Sequence, residues 1–293
     1  MEKTSATDVS WWISQLDLYF GAQPAKIPTF IRPYHIACLA VRARQEGVNV
    51  AMPKDLERYA ARMGLWDVLD RPAPVSIGRA PARGRFAEAR RVTADDQVHG
   101  VSVELSSMFH RTRGVTPATI DAIQIMLSEL LGNSCAHSRR TEVDQVFGVT
   151  IGQSWAGGNL AQLCIVDCGM GIRSSLSQNA QLGSRLASEN ACQIATEYGV
   201  TGKPFGPHSG YGLTFTNDLT SQNGGCLIVI SGNECYSNRC GVVSTSVLPN
   251  FWDGTIVIFE WNTNVSLDAR RVYDGWPDGV DMEEELDYGD IFN

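Results

Sequence analysis

Nothing in this chain reads as a bilayer crossing, because no stretch approaches the roughly 20 consecutive apolar residues that a membrane helix needs. The opening MEKTSATDVSWWISQ lacks a basic region followed by an apolar run, so no signal peptide is expected. The eight cysteines (38, 135, 164, 168, 192, 226, 235 and 240) include no C-x-x-C pair, which leaves structural zinc without a motif. Several lie inside apolar runs, where a reduced thiol acts as a small hydrophobe, and a reduced, cytosolic setting is expected. No internal repeat stands out. Basic residues are the scarcer charge, 24 Lys and Arg against 32 Asp and Glu. The resulting net charge of −8 disfavours nucleic acid as an obligate partner.

What the chain does hold is enough apolar sequence for a sizeable core: 43% hydrophobic residues over 293 positions, with 28 glycines to make special turns. Charge is spread unevenly. Asp and Glu concentrate between Asp278 and Asp290, which reads as a mobile acidic tail. The basic stretch from Arg79 to Arg91 lies among Ala, Pro and Gly and reads as a solvated linker rather than a phosphate-binding patch. RPAPVSIGRAPARGRF breaks every periodic pattern, so the chain is divided there, with a linker over 76–99.

Before that break, residues 1–75 read as a small α/β domain. RPYHIACLAVRA predicts a helix, GVNVAM a short strand, and KDLERYAARMGL a second helix with Pro53 at its start. His35 lies among apolar residues and is expected to be a packed histidine. After the break, GVSVEL predicts a strand, and Thr116 followed by Pro117 starts a long helix through LLGNSCAHS. VFGVTIGQ, LAQLCIVD, CLIVIS and TIVIFEW are short and rich in β-branched residues, as strands of one sheet should be. A long insertion, 173–209, carries a predicted helix near Glu189 to Tyr198. The pattern predicts a helical layer over one face of a mixed sheet, spanning 100–265, with 266–293 as a C-terminal tail.

Four local features carry chemistry. Glu129, Asn133 and His137 are spaced four apart and share one helix face, which either reaches into a cleft or forms a solvated edge. CIVDCGMGI is an apolar strand ending in Asp167, followed by Gly169 and Gly171; a strand-end carboxylate beside glycines can accept hydrogen bonds from an amino group such as that of adenine. In HSGYGLTFTNDL, Gly210 and Gly212 precede a helix beginning near Leu213, and glycines at a helix start expose N–H groups to phosphate oxygens. Gly254-Thr255 leads into the last apolar strand. Each feature alone is weak, since turns use the same residues; their order and spacing are specific.

In that order the sequence resembles the GHKL ATPases, which include gyrase-type topoisomerases, heat-shock chaperones, MutL-type proteins and histidine kinases. The resemblance covers about residues 100–262. It implies a two-layer α/β sandwich of the Bergerat (histidine kinase-like ATPase) type, with ATP and Mg²⁺ as ligands. A looser resemblance links PTFIRPYHIACLAVRARQEGVNV and DLERYAARMGLWDVL to STAS-like segments.

The resemblance also implies roles. Asn133 would coordinate Mg²⁺, and Glu129 would activate the attacking water. Asp167 would read adenine with support from Thr255, while Gly169 and Gly171, followed by Ile172, would make room for the base. Gly210, Gly212 and Leu213 would approach the phosphates. His137 either holds a phosphate or packs at the helix end. Lys203, in GVTGKPFG, either reaches a terminal phosphate from the lid or is an exposed loop lysine. No long amphipathic helix pair surrounds His110, so two-component autophosphorylation is not expected. The function implied is an ATP-driven switch with slow hydrolysis that signals to a protein partner or by self-association. The alternatives are a serine/threonine kinase of the anti-sigma type and a non-hydrolysing nucleotide-dependent interaction module.

Overall fold

The computed structural model describes residues 2–21, 28, 30–78, 82, 84–112, 114–137, 147–203 and 210–277. The predicted acidic tail and the end of the predicted lid, 204–209, lie outside the described residues, as do positions 79, 80, 81 and 83 of the basic stretch.

Among the described residues the chain begins with four α-helices: α1 (Ala6–Gln15), α2 (Pro33–Glu46), α3 (Lys54–Arg62) and α4 (Leu65–Val68). Ser5 caps α1 in a reciprocal capping box with Asp8, satisfying two of the N–H groups that a helix start leaves unpaired. Pro33 opens α2 at a position where a missing N–H costs nothing. Among the described residues before Phe86 there is no strand. GVNVAM, expected as one, runs as a loop whose Val48 and Val50 pack on the core instead. Valines favour strands only where a neighbouring strand accepts their backbone, and the sheet edge lies elsewhere.

That edge is β1 (Phe86–Val92), inside the stretch expected to be a linker. GVSVEL, predicted as a strand, falls in α5 (Val98–Ser107), where Leu105 and Ser102 turn inward at helical spacing. The long helix is α6 (Pro117–His137), begun by Thr116, whose hydroxyl accepts the Thr119 N–H at 3.2 Å. Then follow β2 (Gly148–Trp155), β3 (Leu160–Asp167), three short helices α7 (Ile172–Leu176), α8 (Gly183–Ser188) and α9 (Ala191–Ile194), and α10 (Gly212–Asn223). A long hairpin, β4 (Cys226–Arg239) and β5 (Val242–Asn262), and α11 (Ala269–Tyr273) close the described chain. The helix expected from Glu189 to Tyr198 is thus limited to the single turn of α9.

The strands are ordered β1-β2-β3-β5-β4. Every pairing is antiparallel, so the sheet is not mixed. Residues of β3 are buried without exception. Its apolar run makes sense because both faces are covered: Leu163 and Ile165 pack with α6 and α10, while Cys164 and Val166 pack with α1 and α2. The α6–α10 layer on the sheet is the expected α/β sandwich of histidine kinase-like ATPase type. The N-terminal helices form a third layer on the opposite face and share one continuous core with the sheet, rather than enclosing a core of their own.

Candidate functional site

A cavity opens where α6, the end of β3, the interior of β5 and the start of α10 converge. It encloses about 100 Å³. Nine of the twelve residues predicted from sequence line it: Asn133, His137, Asp167, Gly171, Ile172, Gly210, Gly212, Leu213 and Thr255. Glu129, Gly169 and Lys203 do not, and their positions are informative.

Asp167 is the last residue of β3 and is only 7% exposed. The ladder places it directly opposite Thr255 on β5 and Gly148 on β2, with Ser231 of β4 completing the row. Its Oδ1 accepts the Gly169 N–H at 2.9 Å and the Thr255 N–H at 3.2 Å, and its Oδ2 accepts the Ser134 hydroxyl at 3.3 Å. Backbone N–H groups aimed at a carboxylate hold its orientation. Gly169 therefore serves the acid itself rather than the cavity wall, and Thr255 contributes through its backbone. Gly254 has φ +126°, and a Cβ there would lie 2.1 Å from the Asp167 carbonyl oxygen. No residue with a side chain fits this contact, which keeps β5 tight against the end of β3.

Opposite the acid lies the N-terminal turn of α10. A methyl group at Gly212 would sit 3.0 Å from Asn133 Nδ2, 3.0 Å from Glu129 Cβ and 3.3 Å from Glu129 Oε2. The two polar residues of α6 thus stand against the first turn of α10, Glu129 exposed and Asn133 half-buried. A helix start gathers unpaired N–H groups and a partial positive charge, which suits an anion. His137, one turn beyond Asn133, places Nδ1 3.0 Å from the Ser175 hydroxyl of α7. The Lys203 ammonium donates to the Ala136 carbonyl at 3.4 Å, near the C-terminal end of α6.

The segment expected as a lid has structure of its own over 173–203. Leu176, Leu182, Leu186, Ala191 and Ile194 form a small separate core. Arg173 anchors it, pairing with Glu234 of β4 at 2.7 Å and reaching the Leu186 and Glu189 carbonyls. Arg185 bridges Glu189 and Glu197, each at 2.6 Å. Tyr198 packs tilted against Tyr211, which precedes Gly212, and edge-on against Trp276, with ring centroids 4.9 and 5.1 Å away. Tyr211 and Trp276 are themselves 5.1 Å apart. Trp276 donates to Asp218 at 2.9 Å, so the residues after α11, expected to be a free tail, are tied to the site as far as residue 276.

Three serines escaped the sequence reading. Ser134 orients Asp167; Ser175 meets His137; and the Ser231 hydroxyl accepts the Ile172 N–H at 2.8 Å while donating to the Gly254 carbonyl at 2.7 Å. Ser134 directly follows Asn133 in the helix motif, the only local hint among them. His35 lies far from the site, 3% exposed, its Nδ1 accepting the Arg32 N–H at 3.0 Å. Burial pushes its pKa down to about 3, so it is a packed neutral histidine. Among the described residues no group of three or more His, Cys, Asp or Glu stands ready to hold a metal unaided. No described helix is long and apolar enough to cross a membrane.

With this geometry in place, residues 92–223 match the family model described as the histidine kinase-like ATPase domain. The match begins at the end of β1 and runs through α10, covering Asn133, Asp167 and Gly212, and it supports ATP binding by this domain. No curated protein is significantly similar to the chain.

Proposed function

We propose that the chain binds Mg-ATP in the cavity between α6 and α10, with adenine read by Asp167 and the phosphates placed at the first turn of α10. The observation that carries this reading is Asp167 itself. A buried carboxylate, fixed by two backbone N–H groups and a hydroxyl at a cavity wall, is suited to accepting an exocyclic amino N–H. The apolar wall of Leu130, Ile172, Leu213 and Val257 suits a planar base.

Asn133 offers one amide oxygen beside the helix start, enough for an ion that takes its remaining ligands from phosphates and water. Bound Mg²⁺ would neutralise charge on the phosphate oxygens. Glu129, exposed next to Asn133, would orient a water and accept its proton as the water attacks the terminal phosphate. Lys203 and His137 would contribute positive charge or hydrogen bonds at the phosphate end.

At about 100 Å³ the cavity is smaller than the ~300–1,000 Å³ typical of small-molecule sites. Admitting a whole nucleotide therefore calls for movement of the 172–203 segment, the behaviour of a lid that closes over ligand and reopens after slow hydrolysis. A protein partner, or a second copy of the chain, would read that movement. The kinase alternative rests on the Glu129 carboxylate and on the STAS-like resemblance of the early segment, which lies outside the residues that the family model matches.

Calorimetry with ATP, with and without Mg²⁺, on wild type and Asp167→Asn tests the pocket. Micromolar binding that is weakened roughly 10- to 150-fold in the variant is expected; a well-folded wild type that binds no ATP overturns the reading. Hydrolysis is tested by Glu129→Ala, which should cut turnover about 100-fold or more. Turnover unchanged in that variant would remove Glu129 as the base and leave the non-hydrolysing module.

A further inference from the structure

The β4–β5 hairpin extends well past the end of β3, whose ladder with β5 stops at Asp167 opposite Thr255. Beyond that point β5 is paired by β4 on one side only, among the described residues. Its free edge is open: Val242, Val243 and Val247 are 72%, 48% and 73% exposed, and the residues between them are exposed too. Such an edge offers unpaired N–H and C=O groups to another strand, and soluble proteins guard it with charge, proline, bulges or cover. Here the run from Gly241 to Trp252 contains no charged residue; its guards, Pro249 and a break in register between Val247 and Trp252, lie past the regularly paired stretch Val242–Val247.

The sequence of this edge is a palindrome. Val243-Ser244-Thr245-Ser246-Val247 reads the same in both directions, and it is flanked by Val242 and Leu248. We infer that this edge pairs antiparallel with the same edge of a second copy, about a two-fold axis through Thr245. A two-fold perpendicular to the sheet preserves which face each side chain occupies, so opposed positions must share parity. Centred on Thr245, it sets Val243 against Val247 twice, Ser244 against Ser246 twice, and Thr245 against itself. Moving the centre to Ser244 opposes Val243 to Thr245 and Val242 to Ser246; moving it to Ser246 opposes Val243 to Pro249. Only the Thr245 register matches like with like, and β-branched pairs directly opposite one another stabilise such ladders.

Charge also favours a second copy at this place. Two chains of net charge −8 repel over most of their surfaces, and this edge brings them together with no charged side chain in contact. Seven residues a side cover less than the ~1,200 Å² of a standard stable interface, so the dimer is weak and forms with rising concentration. The inference stands apart from the nucleotide reading, since the edge lies beyond the residues that line the cavity.

Sedimentation velocity on the full chain, from low micromolar to several hundred micromolar, tests it. Wild type should shift from monomer to dimer. V243K/V247K, which opposes like charges at both valine pairs, should weaken the dimer about tenfold or more. V243E/V247K, which opposes unlike charges at both, should restore it. Because 243 and 247 are exposed, all variants should keep the wild-type circular dichroism spectrum and melting temperature. In a Cys240→Ser background, Thr245→Cys should form a covalent dimer under mild oxidation. A natively folded wild type that stays monomeric throughout overturns the inference, as does a dimer that V243K/V247K leaves intact.

Discussion

Asp167 and Glu260 are buried acids on neighbouring antiparallel strands, one facing α6 and α10, the other facing the N-terminal helices. Glu260 is fully buried and receives the Thr4 N–H at 2.9 Å, the Thr4 hydroxyl at 2.6 Å, Gln162 Nε2 at 2.6 Å and Arg32 Nη1 at 2.7 Å. Its donors come from the segment before α1, the cap of α2 and the paired position on β3, so the acid stitches the N-terminal layer to the sheet. Asp167 receives its donors from its own turn, the facing strand and α6, and it stands at the wall of a cavity. A carboxylate enclosed by donors on all sides acts as structure, whereas one held rigid beside open space can receive a ligand. Burial alone does not separate the two roles; the open space beside the acid does.

If the contrast is right, substitutions on the two faces should fail differently. The largest effect is expected from Glu260→Ala, which strands Arg32 partly buried without its partner and should cost about 3–5 kcal/mol of folding stability. Urea unfolding measures it, and the variant that remains folded should bind ATP with wild-type affinity. Asp167→Asn should do the reverse. Loss of a charged acceptor, worth about 1.5–3 kcal/mol in ligand binding, should weaken ATP roughly 10- to 150-fold by calorimetry while the melting temperature barely moves. Equal losses of stability and binding in both variants would erase the distinction.

His35 sharpens the comparison through pH. Its folded pKa, about 3, lies below the ordinary value of 6.5, so the unfolded chain binds the extra proton as pH falls below 6.5. The stability it contributes is present above pH 6.5 and declines toward pH 3. Between pH 7.5 and 5.5 the loss should be about 1.4 kcal/mol, and His35→Gln should flatten that slope. The smallest effect is expected at the lid. Tyr198→Ala removes one ring from the mutually packed trio with Tyr211 and Trp276, contacts worth about 0.5–1.5 kcal/mol. Nucleotide release, followed by stopped-flow fluorescence, should speed up by up to about tenfold with folding stability little changed.

Much of the site could be read along the chain because each of its parts is local. The spacing of Glu129, Asn133 and His137 follows from helix periodicity, Asp167 from an apolar run ending in a polar residue, and Gly212 from a glycine at a helix start. Ser134 and Ser231 could not be read this way. A serine says nothing by itself, and these act on partners 33 and 59 residues away, which only folding brings within reach. The strand expected at GVNVAM and the one expected at GVSVEL failed for a related reason. Short apolar stretches suit helix, strand or loop equally well, and the element beside them decides.

The sequence by itself determined the order of the nucleotide-facing motifs, the doubly apolar character of the central strands and the palindrome on β5. The tertiary structure alone decided that the N-terminal helices cover the back of the sheet, that the supposed linker supplies its edge strand, and that one buried acid is sealed while the other faces a cavity. Periodicity reports which side of an element is apolar, because that is a property of neighbours along the chain. What lies against that side depends on contacts between residues far apart in sequence, and those exist only once the layers have closed on one another.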